Sequence, residues 1–121
     1  MEAKELMIGD KVMVKVLSQI PDTYVLHTWT ANDYSRDIQV KPITLTPEIL
    51  EKNGFIKVNS QRYDYGSPDN DCYVKVNPKK NMIHVNGRNA NSNLYSHSFI
   101  HELQRALRLC GLNELADNFK V

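Results

Sequence analysis

The segment between residues 98 and 110 has the most regular pattern in the sequence. Its apolar residues recur every three or four positions, which is the spacing of one face of an α-helix. They are Phe99, Ile100, Leu103, Ala106, Leu107 and Cys110. Gly111 supplies a stop, so we predict an amphipathic helix over residues 98–110. Such a helix requires a second layer of structure that buries its apolar face.

The first 45 residues contain three short segments rich in β-branched and aromatic residues, at positions 11–17, 23–29 and 37–41. The turn residues Gly9-Asp10 precede the first segment, and Pro21-Asp22 separate the first from the second. Three short antiparallel strands in so few residues favour a small curled sheet of the SH3-like kind.

Residues 46–121 favour a second sheet with helices. Thr46-Pro47-Glu48 combines an N-cap, a proline in the first turn and an acidic residue near the helix start. This short helix ends at Asn53-Gly54. The remaining predicted elements are strands at 55–58, 72–76 and 82–85, loops at 63–71 and 86–93, a short helix at 113–117 and a final strand at 119–121.

Together these elements predict an α+β fold of two modules in one compact unit. Residues 1–45 form an SH3-like β module, and residues 46–121 form an α/β module whose antiparallel hairpin packs on one long C-terminal helix. The chain has 121 residues, the size of one domain. No apolar run approaches the roughly 18 residues of a membrane span, and the first five residues lack the apolar core of a secretion signal. We therefore expect a cytoplasmic protein.

Charge is distributed unevenly along the chain. Fifteen Lys and Arg residues against fourteen Asp and Glu residues leave a net charge of +1, which argues against a protein whose whole surface coats DNA. Residues 1–51 carry five basic and eight acidic groups, whereas residues 52–121 carry ten basic and six acidic groups. This asymmetry predicts that an anion-binding surface lies in the second half.

Several kinds of chemistry are not supported by the motifs. The sequence His101-Glu102-Leu103-Gln104-Arg105 resembles a zinc protease motif, but Arg stands where the second His ligand is needed. The isolated glycines match no phosphate-binding loop. Cys72 and Cys110 are predicted to be separate reduced thiols. We expect no metal, no cofactor and no catalysis.

The candidate ligand-binding residues are cationic. His101, Arg105 and Arg108 share one stripe of the predicted helix at i, i+4 and i+7, and guanidinium groups fit phosphate oxygens. We add Arg88 from the Asn-rich loop, Lys80 from the preceding turn, and Tyr95 as a stacking surface. The alternative is a solvated helix face with an ion pair between Glu102 and Arg105.

Three blocks of the sequence carry a resemblance to known proteins. They are Glu5–Asp10 (ELMIGD), Lys41–Phe55 (KPITLTPEILEKNGF) and His101–Gly111 (HELQRALRLCG), the last two being the more specific. In these blocks the chain resembles a family of short, uncharacterised proteins from gut anaerobic bacteria and their phages or prophages. Similar sequences often carry His at the position of Arg105. The resemblance implies a phage-linked accessory gene with a role in host takeover or counter-defence, acting in the host cytoplasm.

Three functions remain open. The first is a non-catalytic, oligomeric sponge that sequesters an anionic nucleotide signal of the host immune response. The second is a module that binds a host protein or nucleic acid through the N-terminal half, with Trp29, Tyr24 and Tyr34 as anchors. The third is a nucleotide-cleaving enzyme that uses His84, His97 or His101 as acid and base.

Overall fold

Two antiparallel sheets and three helices form the structure, a computed structural model that describes residues 6–16, 23–35, 38–66, 72–87, 90–95 and 99–121. Only the backbone is described at residues 16, 35, 72, 87 and 90–95. The predicted α+β class is confirmed. No helix in the described ranges is long and apolar enough to cross a membrane.

The small sheet has the strand order β2-β1-β3, formed by Lys11–Val16 (β1), Val25–Thr28 (β2) and Ile38–Lys41 (β3). A 3-10 turn, Ala31–Ser35, connects the last two strands. Side chains alternate along β1, so that Val12 and Val14 point inward and join a core with Leu6 and Trp29. The strands predicted in this region are confirmed to within two residues.

The large sheet has the order β4-β5-β6-β7-β8. Its strands are Ile56–Lys57 (β4), Tyr63–Gly66 (β5), Cys72–Asn77 (β6), Met82–Gly87 (β7) and Ala90–Tyr95 (β8). The predicted hairpin of β6 and β7 is confirmed, with a 3-10 turn at Pro78–Lys80 between the strands.

Helix α1, Pro47–Lys52, begins as the sequence predicts. The Thr46 side chain accepts a hydrogen bond from the Ile49 backbone N–H at 3.3 Å. The helix ends at Asn53, and Gly54 adopts a φ of +87°, a left-handed conformation that suits glycine. Leu50 attaches the helix to the large core.

Helix α2, Ile100–Leu109, and the short helix α3, Asn113–Asp117, follow the strands. The apolar residues of α2 pack on the large sheet as predicted. The helix is shorter than the expected residues 98–110 and is not one long C-terminal helix, because Gly111 with a φ of +81° separates α2 from α3. Residues 96–98 lie outside the described ranges.

Two loops that the sequence predicts are in part strands. Residues 63–66 of the predicted loop 63–71 form β5, because Tyr63 and Tyr65 suit a strand that pairs with β6. Much of the predicted loop 86–93 belongs to β7 and β8, where pairing through the backbone overrides the low strand preference of Asn.

The predicted final strand at 119–121 is not formed. The backbone N–H of Lys120 donates to the side-chain oxygen of Asn53 at 2.8 Å, and the Asn53 amide donates to the Lys120 carbonyl at 2.8 Å. One side chain thus supplies the pairing that a strand neighbour would otherwise give.

The segment before the expected boundary at residue 45 contacts elements of the second part of the chain. Ile43 accepts a backbone hydrogen bond from Ile100 at 2.8 Å, and Thr44 forms an isolated β-bridge with Phe99. Leu45 belongs to the large core. The division into modules at this residue stays a prediction.

Candidate functional site

Helix α2 places its two arginines against a buried carboxylate. Nη1 of Arg108 lies 2.9 Å from Oδ1 of Asp10, and its Nη2 lies 3.5 Å from Oδ1 of Asp117. Nη2 of Arg105 is 3.8 Å from the other oxygen of Asp10. The Asp10 side chain is 0% exposed, while those of Arg105 and Arg108 are 40% and 15% exposed. The positive charge of this stripe is therefore largely offset within the protein.

Gln104 and Gly9 complete the contact between α2 and the start of β1. The buried Gln104 accepts the Lys11 backbone N–H at 2.8 Å and donates to the carbonyls of Gly9 and Ala116 at 2.9 and 2.8 Å. Gly9 has a φ of +96°, and a Cβ there would lie 2.8 Å from Nη2 of Arg108. We call this contact the junction cluster. It comprises Gly9, Asp10, Gln104 and Arg108.

The polar side of α2 is less exposed than the sequence predicts. His101 is 5% exposed and Gln104 is fully buried. The His101 ring stacks on Phe99 with the centroids 5.8 Å apart. The alternative of a solvated helix face therefore does not hold at His101 and Gln104, because the small sheet and α3 pack against that side of the helix.

The other predicted ligand-binding residues lie elsewhere in the fold. Lys80 is exposed in the 3-10 turn between β6 and β7. The backbone of Tyr95 lies opposite Met82, beside that turn. Arg88 lies outside the described residues, and so does His97. The role of all six candidates in ligand binding stays a prediction.

The outward side of the small sheet presents a group of cations that the sequence did not single out. The register places Lys41 opposite Met13, and Leu26 on the other side of Met13. Lys15 lies opposite Gln39, and Lys11 lies opposite Thr28. Because alternate residues share a face, these side chains all point away from the Val12–Val14 core. We call this surface the lysine face. It comprises Lys11, Met13, Lys15, Tyr24, Leu26, Thr28, Gln39 and Lys41.

Tyr24 lies among the lysines of this face. Nζ of Lys15 is 5.5 Å from the centre of the Tyr24 ring, and Nζ of Lys41 is 5.8 Å from it. The Tyr24 hydroxyl donates to Oε1 of Gln39 at 3.4 Å, which orients the ring across the sheet. Nζ of Lys11 donates to the Thr28 hydroxyl at 2.5 Å. Two ammonium groups thus lie over the ring of Tyr24, in the arrangement of cation–π contacts.

The two acidic side chains that the structure describes in the small sheet and its turns are buried. Asp10 and Asp33 are 0% and 2% exposed. Asp33 accepts hydrogen bonds from the Thr30 backbone at 2.7 Å and the Thr30 hydroxyl at 2.9 Å, and lies 2.6 Å from Nε2 of His27. The prediction that an anion-binding surface lies in residues 52–121 stays a prediction. In the sequence, the signal that could have indicated the lysine face was the repeat of Lys at positions 11 and 15, with Met13 between them.

The three aromatic anchors proposed for the N-terminal half differ in position. Tyr24 and Tyr34 are 37% and 47% exposed. Trp29 is fully buried and packs edge-on against Tyr34, with ring centres 5.5 Å apart. The prediction that Trp29 is a surface anchor is wrong, because the small sheet uses this ring to fill its core.

A second polar cluster lies on the large sheet. The buried Asp64 accepts the Tyr73 hydroxyl at 2.5 Å, and Nη2 of Arg62 donates to the same oxygen at 3.1 Å. Burial, with the bond and the negative charge of Asp64, raises the pKa of Tyr73 above its usual 10.0. Lys75 lies 5.1 Å from the centre of the Tyr73 ring. The hydrogen bond between Asp64 on β5 and Tyr73 on β6 connects the two strands, and Arg62 donates to the same carboxylate.

Metal ligands are not grouped in the described part of the chain, where no cluster of three His, Cys, Asp or Glu side chains could hold an ion. A cleft of about 530 Å³ lies between Tyr65 and residues 111–115, which form the turn after α2 and the start of α3. Its lining residues include no cation. The lysine face is therefore the better candidate for an anionic ligand.

Comparison with known proteins gives no relative for this chain. No family model, no curated protein and no solved structure matches it.

Proposed function

We propose that this protein is a non-catalytic binding protein for an anionic ligand of the nucleotide type, and that the ligand lies on the lysine face. The observation that carries the proposal is the position of Tyr24, with the ammonium groups of Lys15 and Lys41 5.5 and 5.8 Å from its ring centre. Ammonium groups attract phosphate, and an exposed aromatic ring offers a stacking surface to a base.

The arginines of α2 support this function less well. Arg108 is mostly buried and contacts Asp10 and Asp117, so a phosphate would have to displace one of two carboxylates. Separating a buried ion pair is costly because each charge must then be solvated or paired again. Arg105 is more exposed, and its guanidinium lies 3.8 Å from the same buried Asp10.

We further propose that binding serves to sequester the ligand. This role fits the resemblance to short phage-associated proteins and would place the protein in the cytoplasm of a host cell. A homo-oligomer would bring several lysine faces together and raise the local density of positive charge.

Equilibrium binding to a fluorescent nucleotide panel at low salt tests the proposal. We expect the triple variant Lys11→Gln, Lys15→Gln, Lys41→Gln to lose at least about tenfold in affinity, because phosphate contacts and counterion release are both lost. The control is Lys57→Gln, Lys79→Gln, Lys80→Gln, which changes the net charge equally at three exposed positions. We expect it to bind within about twofold of the parent protein.

Recovery of the ligand after binding completes the test. A binding protein returns the nucleotide intact, whereas an enzyme converts it. Equal losses of affinity in the two triple variants, or conversion of the ligand, would overturn the proposal.

Docking of a host protein on the same sheet is a second candidate. Val25 and Leu26 are 56% and 53% exposed on β2, an edge strand whose outer backbone can pair with another chain. Such binding depends mainly on apolar contact and backbone pairing. It would change little between low and high salt, unlike phosphate binding.

A further inference from the structure

The cleft between β5 and the turn after helix α2 has two walls that the fold holds in place. On one side, the Tyr65 ring packs against Phe55 with the ring centres 5.5 Å apart, and a Cβ on Gly54 would lie 3.4 Å from it. On the other side, Leu112 and Leu115 pack against the large core. A ligand would therefore meet a formed site of about 530 Å³, a volume within the range of small-molecule sites.

The turn at Gly111 leaves this cleft open to solvent. The Gly111 backbone N–H donates to the Arg108 carbonyl at 3.0 Å. The next N–H, of Leu112, donates to the Leu107 carbonyl at 2.9 Å, so hydrogen bonds fix the turn. A Cβ on Gly111 would meet no atom within 4 Å. The cleft is thus accessible beside a backbone that is held in one conformation.

The polar side chains that line the cleft are not engaged by the protein. Among the residues that the structure describes, Tyr65, Asn113 and Glu114 form no side-chain hydrogen bond or ion pair. Asn113 and Glu114 are exposed, and Tyr65 is half-buried. The carboxylate of Glu114 differs in this respect from those of Asp10 and Asp64, which the protein itself pairs. A ligand can therefore contact Glu114 without displacing another group.

The lining groups select the charge of a ligand. Glu114 supplies a negative charge, and none of the described residues that line the cleft is a Lys, Arg or His. A cation is attracted both by this carboxylate and by the face of the Tyr65 ring. A primary ammonium group has three donors, which suit the carboxylate and the amide oxygen of Asn113. Leu112 and Leu115 offer apolar contact to the rest of the ligand.

We infer that this cleft binds a primary ammonium ion on an apolar stem, with the ammonium group between Glu114 and the Tyr65 ring and the stem along Leu112 and Leu115. The inference goes beyond the proposed function, because the cleft shares no residue with the lysine face and selects the opposite charge. The shared chemistry is that of a free alkylamine and of a lysine side chain, and the experiment distinguishes the two.

Titration of the labelled protein with n-pentylammonium at low salt, followed by amide chemical shifts, tests the inference. We expect saturable changes at Tyr65 and in residues 111–115. Pentanol and pentanoate have the same stem without the positive charge, and we expect each to bind at least about threefold more weakly. Lysine capped at its α-amino and carboxyl groups carries the same ammonium group. Tighter binding of capped lysine indicates a lysine side chain, tighter binding of pentylammonium indicates a free amine, and either result supports the inference.

Substitution of Glu114 tests the ionic contact. Glu114→Gln keeps the shape of the side chain and removes its charge, so we expect pentylammonium to bind at least about threefold more weakly. Glu48→Gln, at an exposed position on α1 that does not line the cleft, is the control for net charge. We expect it to bind within about 1.5-fold of the parent protein.

Substitutions of Tyr65 test the contact with the ring. Tyr65→Leu is expected to bind pentylammonium about threefold more weakly, because it lacks the aromatic face. Tyr65→Phe keeps that face and is expected to bind within about 1.5-fold of the parent. Thermal unfolding of both variants shows that each remains folded.

Four results would each overturn the inference. They are equal binding of pentylammonium and pentanol, equal effects of Glu114→Gln and Glu48→Gln, equal losses in the two Tyr65 variants, and shift changes that lie outside Tyr65 and residues 111–115. None of them depends on the lysines of the small sheet. The proposed function is therefore tested separately and can stand or fall alone.

Discussion

The carboxylate of Asp10 is buried between the turn before β1 and helix α2. One oxygen accepts the Met7 backbone N–H at 2.8 Å, and the other accepts Arg108 at 2.9 Å. Its backbone carbonyl accepts Trp29 at 2.8 Å. A single residue therefore holds a turn, the small core and the helix in one arrangement, and its charge depends on Arg108 for compensation.

This dependence predicts unequal effects for the two arginines of α2. Arg108→Ala is expected to lower the free energy of unfolding by about 3–5 kcal/mol, because it leaves the buried carboxylate of Asp10 without its closest cation. Arg105→Ala is expected to cost less than about 1 kcal/mol, because that pair is longer and its side chain is 40% exposed. Urea unfolding of the two variants measures the difference. Equal costs would show that Arg108 does not compensate Asp10.

Gly9 gives a second prediction for the same contact. Gly9→Ala combines a φ of +96° with a Cβ placed 2.8 Å from Nη2 of Arg108, so it strains the backbone and displaces the guanidinium. Gly111→Ala, at a φ of +81° with open space around it, is the matched control and incurs backbone strain alone. We expect Gly9→Ala to be the more destabilising by at least about 1 kcal/mol in thermal unfolding. A larger loss at Gly111 would contradict the close contact at Gly9.

At the scale of elements, Gln104 connects α2 to both β1 and α3. Its three hydrogen bonds join backbone groups of Lys11, Gly9 and Ala116 at 2.8, 2.9 and 2.8 Å. A glutamine in an amphipathic helix is usually assigned to the solvent side, so sequence periodicity cannot identify this role. The buried position of Gln104 follows from the packing of the small sheet against the polar side of α2.

Replacement of Gln104 by Met keeps the length of the side chain and removes its hydrogen bonds. We expect Gln104→Met to lower the free energy of unfolding by about 3 kcal/mol, because buried backbone groups lose their partners. The Lys11 amide should then exchange with solvent faster than the amides of the β6–β7 hairpin. Gln61→Met, at an exposed position, is the control and should change neither quantity. Unchanged protection of Lys11 would contradict the connection.

Most elements follow from local sequence because their signals are local. The N-cap at Thr46, the stop at Gly54 and the apolar spacing of α2 each act within one helical turn. The missed elements depend on distant partners instead. Strand β5 forms against β6, and the residues after Phe119 pair with the side chain of Asn53.

The candidate site was harder to predict than the elements. The sequence assigns the first half a net negative charge, but the structure buries Asp10 and Asp33 while it leaves Lys11, Lys15 and Lys41 on one face. The arginines of α2 lie on the predicted stripe, yet the fold places both against Asp10, which is nearly 100 residues away in sequence. Register and burial, rather than composition, determine which charged side chains lie at the surface.

At the scale of the whole molecule, stability should fall at alkaline pH through Tyr73. Its pKa is raised in the folded state, so the neutral hydroxyl stabilises the fold fully below its ordinary pKa of 10.0. That contribution is lost as the pH rises through the higher, folded-state pKa. Ionisation would place a second negative charge 2.5 Å from Asp64, on a buried oxygen.

The prediction is tested by urea unfolding at about pH 8 and about pH 11. We expect Tyr73→Phe to be less stable than the parent at the lower pH, because it lacks the bond to Asp64, and to lose less stability between the two values. Tyr24→Phe, whose ring lies at the surface, is the control and should lose as much as the parent. An alkaline loss in Tyr73→Phe equal to that of the parent would contradict the role of this hydroxyl.

The position of bound ligand on the whole molecule is tested most directly by the amide chemical shifts of the labelled protein during titration with the nucleotide that binds most tightly in the panel. We predict that the largest changes occur in β1, around Tyr24 and Leu26, and at Lys41, with small changes in α2 and in the 3-10 turn at Pro78–Lys80. Such a map would locate the ligand on the lysine face. Changes concentrated at Arg105, Arg108 and Lys80, with the small sheet unaffected, would contradict binding on the lysine face. They would instead support the cationic residues that the sequence analysis selected.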